Sequence, residues 1–214
     1  MRRLSNLSID QRLHMPSHVP VRALAVSRRA EAGSPAVLVA VGGRLTYAVW
    51  SLDMRPRPPS IYIHNVLARS LGEGTLKRKA AQDHRILTVA VSPCRVRPLV
   101  PSTLKMHSGH VVFMGDSRGR GTVAVVRDRD GGSEPGGTTS PTFHIVDPNL
   151  EVSSCPLLCS DLMVFSLPRP CHGNPTAQPE WTQVLESVTL AVVGDTAGDV
   201  SLWLLKISPE TCPT

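Results

Sequence analysis

Residues Ser187–Leu205, SVTLAVVGDTAGDVSLWLL, constrain the fold more than any other stretch of the chain. Leu190–Val193 is an apolar, β-branched run. Gly194-Asp195-Thr196-Ala197-Gly198-Asp199 is a turn cluster, and Val200–Leu204 alternates small and large side chains. Strand, tight Gly/Asp turn, strand is a hairpin signal. A hairpin leaves two edges and one apolar face uncovered, so it must be completed by further strands.

The same order recurs. Ala36–Val41, the Gly42-Gly43 break and Arg44–Trp50 form one copy, with Leu45, Tyr47 and Val49 on one face. His110–Met114, the turn GDSRGRG (115–121) and Thr122–Val126 form another, with Val where the other two have Trp50 and Trp203. Gly43, Gly119 and Gly198 mark the three bends, and Asp116 and Asp195 occupy equivalent places in two of them. The markers lie 76 and 79 residues apart. WD40 blades repeat at about 40–45 residues, so either each unit carries a long insertion or a degenerate blade lies between markers; the loops at 54–85, 128–141 and 168–185 favour insertions. Further strands are expected at 21–26, 61–66, 86–91, 142–146 and 162–167.

Nineteen Pro and sixteen Gly disfavour long helices. Proline removes a ladder donor and fixes φ, so 54–60 (MRPRPPS) and 93–101 are expected to interrupt the sheets. Arg69–Arg85 reads as an exposed basic insertion, partly helical, and 128–141 as a flexible Gly/Ser/acid loop. The resulting division is a preceding blade end and loop at 1–20, a partial propeller at 21–206 and a tail at 207–214. Its interruptions are the insertion 54–85, the loop 128–141 and the Pro-rich loop 168–185.

Charge is divided unevenly. Residues 1–127 hold 20 of the 23 basic and 6 of the 17 acidic residues; residues 128–214 hold 3 and 11. A basic half suits nucleic acid or another polyanion. The best candidates are Lys77, Arg78, Lys79 and Arg85, which could neutralise phosphates. Tyr62 is the one nearby aromatic, so base-specific stacking is not expected.

Other chemistries fit less well. GDSRGRG lacks the Gly-Lys-Ser/Thr ending of a phosphate loop. Asp116 and Asp195 read as turn carboxylates that cap backbone amides, not as catalytic groups. Cys155-x3-Cys159 with Cys171-His172 downstream fits no common zinc spacing. No nucleophile elbow is present. An enzyme, a cofactor and a metal are therefore not expected. Five irregularly spaced cysteines suit reduced thiols in a cytosolic or nuclear protein. MRRLSNLSIDQRLHMP lacks the apolar core of a signal peptide, and no run of about 20 apolar residues suggests a membrane span.

The order LSIDQRL, GGRLTYAVWSL, LKRKAAQDHRILTVAV, GDSRGRGTVAVV, TFHIVDPNLEV, LMVFSL and GDTAGDVSLWLL resembles the C-terminal propeller of the WD-repeat protein six family, across most of residues 5–205. The resemblance implies an all-β, WD40-like partial propeller of about three blades plus a fragment, whose upstream propellers are missing. It implies a cytoplasmic, non-catalytic scaffold that presents tRNA to a separate ribose 2′-O-methyltransferase acting at the anticodon wobble nucleotide. Its partners would be that catalytic subunit, tRNA, and other chains at the open propeller edge. The alternatives are a generic protein-interaction propeller in signalling or ubiquitin-ligase assembly, and a truncated fragment without function.

Overall fold

A computed structural model describes residues 12–27, 36–57, 60–78, 83–96, 107–127, 142–169 and 184–205. The chain is all-β. It forms eleven strands among these residues: β1 Val21–Val26, β2 Ala36–Gly42, β3 Thr46–Arg57, β4 Ser60–Thr75, β5 Ile86–Val96, β6 His107–Asp116, β7 Arg120–Arg127, β8 Thr142–Glu151, β9 Leu157–Arg169, β10 Val184–Asp195 and β11 Val200–Leu205. A single 3₁₀ turn, Pro16–His18, precedes them. No helix among the described residues is long and apolar enough to cross a membrane.

The strands make three open antiparallel meanders, β1-β2-β3-β4 (sheet 1), β5-β6-β7-β8 (sheet 2) and β9-β10-β11 (sheet 3). The sheets stack in that order, and their first strands meet: β1 packs on β5, and β5 on β9. Thr88 Oγ1 and Ser160 Oγ, 2.9 Å apart, join β5 to β9.

Sheet 2 lies in the middle, so both of its faces are buried. On β6, Val112 and Met114 join the core shared with sheet 1, while Val111 and Phe113 join the core shared with sheet 3. On β7, Ala124 and Val126 face one way and Val123 and Val125 the other. A strand buried on both faces needs a continuous apolar run, and TVAVV supplies it. Sheet 3 buries one face: Leu162, Ala191 and Trp203 pack inward, while Leu202 and Leu204 stay exposed. Sheet 1 buries Val37, Val39, Val41 and Val49 against sheet 2. On its other face, Met15 and Leu13 lie over Ala40, Ala48 and Trp50. The recurrent hairpins expected from the sequence are thus β2–β3, β6–β7 and β10–β11.

The prolines overturn several expected breaks. β3 runs through Pro56 to Arg57, pairing with β4 back to Ser60. β2 reaches only Leu52 along β3, so Pro56 sits in a two-stranded ribbon whose other edge has no described neighbour to receive an amide. Pro93 lies within β5, Pro148 within β8 and Pro168 within β9. All three are edge strands, where half of the amides face away from the sheet and proline is tolerated. The basic stretch expected as a partly helical insertion is instead β4 up to Thr75, followed by a short connection to β5. β8 and β9 likewise exceed the strands expected at 142–146 and 162–167. The loop expected at 128–141 lies outside the described residues.

Candidate nucleic-acid interface

One end of the stack carries the β6–β7 turn, the β2–β3 turn and the connection from β4 to β5. Asp116 organises it. As the last residue of β6, it accepts bonds at Oδ1 from the backbone N–H groups of Arg118 (2.8 Å) and Arg120 (3.0 Å). Gly119 N–H donates to Asp116 O at 3.3 Å, and Gly119 takes φ +76°. A side chain there would place Cβ 2.0 Å from Ser153 O, so only glycine fits. Asp116 caps the turn, as the sequence suggests, and is itself 1% exposed.

A carboxylate so buried requires a counter-charge. Arg78 supplies it. Its Nη1 contacts Asp116 Oδ2, Nη2 donates to Gly121 O at 3.0 Å and also meets Thr122 Oγ1 and Pro148 O, and Nε donates to Pro148 O at 2.8 Å. Its side chain is 3% exposed. Burial lowers the guanidinium pKa, while Asp116 opposes that shift. His84, at the end of the same connection, places Nε2 3.1 Å from Asp116 Oδ2, although the ring completes no hydrogen bond among the described residues. Burial lowers the His84 pKa, while the Asp116 carboxylate opposes that shift.

This arrangement corrects the expectation for Arg78. Its guanidinium is turned inward onto Asp116 and its side chain is buried, so it is not offered to a phosphate at the surface. The structural signal is long-range: Arg78 and Asp116 lie 38 residues apart. Lys77 is exposed. Arg85 is exposed too, with Nη2 3.9 Å from the solvated Asp83 carboxylate. Lys79 lies outside the described residues.

Three cations that local sequence does not single out join Lys77 and Arg85. Gly43 bridges to Arg85, and Leu76 N–H donates to Leu45 O at 3.0 Å, which ties the β2–β3 turn to the connection. Ser117 N–H donates to Arg85 O at 2.9 Å and Ser117 Oγ accepts from Arg85 N–H at 3.1 Å, which ties the β6–β7 turn to it as well. Arg44 and Arg118 are therefore exposed at the same end as Lys77 and Arg85, and half-buried Arg120 beside them donates to Asn149 Oδ1 at 3.2 Å. The result is a cationic rim on a backbone fixed by the Asp116 network. The one sign of it in the sequence is that these arginines sit in turn segments; they are scattered along the chain and converge only through the turns.

Sheet 3 repeats the device with a different outcome. Asp195 Oδ1 accepts from the N–H groups of Ala197 (2.9 Å) and Asp199 (3.0 Å), and Ser153 Oγ donates to Oδ2 at 2.5 Å. The Ser153 bond, with help from the turn amides, holds the Asp195 carboxyl below its usual range against the opposing effect of burial. Thr196 N–H donates to Pro156 O as Ser117 does to Arg85 O, and Gly198 takes φ +90°. Here Ala197 and Asp199 stand where sheet 2 has Arg118 and Arg120. The third marker, Gly43, has no positive φ; Arg44 (+54°) and Leu45 (+56°) make the turn instead.

Trp50 is buried beneath Met15, and Trp203 is half-buried against sheet 2. Among the described residues, no group of three or more His, Cys, Asp or Glu side chains is placed to hold a metal ion. Cys171 and His172 lie outside those residues. Comparison with family models, curated proteins and solved structures finds no match to this chain.

Proposed function

We propose that the chain is a non-catalytic binding scaffold, a WD40-like partial propeller whose cationic rim contacts the phosphates of a folded RNA. The observation that carries this reading is the convergence of exposed Arg44, Lys77, Arg85 and Arg118 at one end of two adjacent sheets. Phosphate contacts from such a rim position a nucleic acid without reading its bases. The three meanders and the two equivalent Asp turns support the propeller reading. Resemblance of motifs supplies the identity of the RNA and the setting: tRNA held in the cytoplasm for wobble-nucleotide 2′-O-methylation by a separate catalytic subunit.

Titrating tRNA across a range of salt tests the reading. Replacing Arg44, Lys77, Arg85 and Arg118 together by Gln should weaken binding and reduce the salt slope by roughly 0.7–0.9 for each phosphate no longer neutralised. Unchanged affinity and slope would reject the rim. Capture of partners from cells tests the setting: a tRNA methyltransferase supports it, and a ubiquitin-ligase assembly supports a protein-interaction propeller instead.

A further inference from the structure

The stack has two junctions of one kind, and each joins the forward face of one meander to the rear face of the next. β6 shows both: Val112 and Met114 look back to sheet 1, and Val111 and Phe113 look forward to sheet 3. The forward face of sheet 3 has no such neighbour among the described residues. The register places Leu190 between Met163 and Leu204, and Val192 beside Leu202, on that face. Met163 is 52%, Phe165 41%, Val200 69%, Leu202 66% and Leu204 58% exposed. Monomeric proteins rarely leave so continuous an apolar face in water.

The rear face of sheet 1 is the other half of a junction. Leu13 and Met15 cover its Ala40–Ala48–Trp50 side, but Leu24 and Val26, on β1, remain 62% and 57% exposed. Charge separates the two faces. Exposed Arg12 and Arg22 border the sheet 1 face, whereas Asp161 lies on the sheet 3 face and Asp195 and Asp199 close one end of it. Over the described strands and the turns that join them, sheet 1 carries five basic and two acidic residues, and sheet 3 one basic and four acidic.

From these observations we infer that the forward face of sheet 3 docks on the rear face of sheet 1 of a second copy of this chain. The contact is head-to-tail. It adds one more junction of the kind already present twice within the chain, and it sets an acidic border against a basic one. Because the two faces differ, the contact is heterologous and either closes a ring or continues.

Two exposed substitutions test this. Leu24→Glu spoils the head by placing an acid against an acidic tail; Leu202→Lys spoils the tail by placing a base against a basic head. Both sites are exposed, so far-UV circular dichroism should show the fold unchanged. Sedimentation should give at least twice the 23.1 kDa chain mass for the native protein and the single-chain mass for each variant alone. Mixing the variants leaves one intact head and one intact tail, and should restore a species containing both. A native protein that is monomeric at every concentration overturns the inference. So does loss of association in Leu202→Lys alone with Leu24→Glu unaffected, which would mark a symmetric tail-to-tail contact or a different partner for sheet 3.

Discussion

The Asp116 and Asp195 turns share one backbone plan and bear opposite loads. In each, one carboxylate oxygen accepts two turn amides, a glycine with positive φ follows three residues later, and the N–H of the residue directly after the aspartate reaches the carbonyl just before the sheet's first strand. The other oxygen takes a donor from the segment before that strand: Arg78, with His84 beside it, for Asp116, and Ser153 for Asp195. The difference is depth. Asp116 lies between two sheets and needs a full charge to balance it; Asp195 ends an outer sheet, where a hydroxyl is enough. A repeated turn can therefore keep its geometry while its outward residues change from Arg118 and Arg120 to Ala197 and Asp199. Shape and surface charge are set separately.

The largest test of that contrast is Asp116→Ala against Asp195→Ala. Removing Asp116 leaves Arg78 buried without its partner and should cost about 3–5 kcal/mol in urea denaturation. Asp195→Ala should cost clearly less, and equal losses would refute the role given to depth. Next come the glycines. Gly119→Ala must both adopt a left-handed φ and push back Ser153 O, and should cost about 3 kcal/mol. Gly198→Ala meets no atom within 4 Å and should show only the φ penalty, about 1 kcal/mol in thermal melts.

The two turns also separate by pH, through His84 in one and Asp195 in the other. His84 has its folded pKa lowered from 6.5, so the unfolded chain binds its proton first. Its contribution is complete above pH 6.5 and falls as pH drops from there towards the folded pKa. His84→Gln should flatten that part of the stability curve. Asp195, depressed from 3.8, contributes above that pH and loses its contribution as pH falls through the folded pKa. Ser153→Ala should therefore lower stability above that pH, with the difference closing as pH falls through the folded pKa. The smallest effect belongs to the turn that lacks an aspartate. Arg44 is exposed at φ +54°, and Arg44→Asn should raise stability by up to about 1 kcal/mol while removing one rim charge.

Much of this architecture is legible in local patterns. The three hairpins follow from apolar runs on either side of Gly/Asp clusters, and the same clusters mark Asp116 and Asp195 as turn caps. Proline misleads because its meaning depends on which strand it occupies: Pro93, Pro148 and Pro168 forbid an inner strand and are harmless at an edge. Strand order is not written at any one position. Arg78 misleads for a related reason. Beside Lys77 and Lys79 it reads as one of three surface cations, and only the fold brings Asp116 beneath it. The rim is half visible, through Lys77 and Arg85, and the rest requires the β2–β3 and β6–β7 turns to meet.

The edge prolines carry a consequence for the chain in concentrated solution. At β5, β8 and β9 an invading strand would find a gap in the row of amides it must pair with, so growth of foreign cross-β order stalls there. β11, VSLWLL, has neither proline nor charge to blunt its outer border. If this protein ever forms fibrils, they should nucleate along that strip.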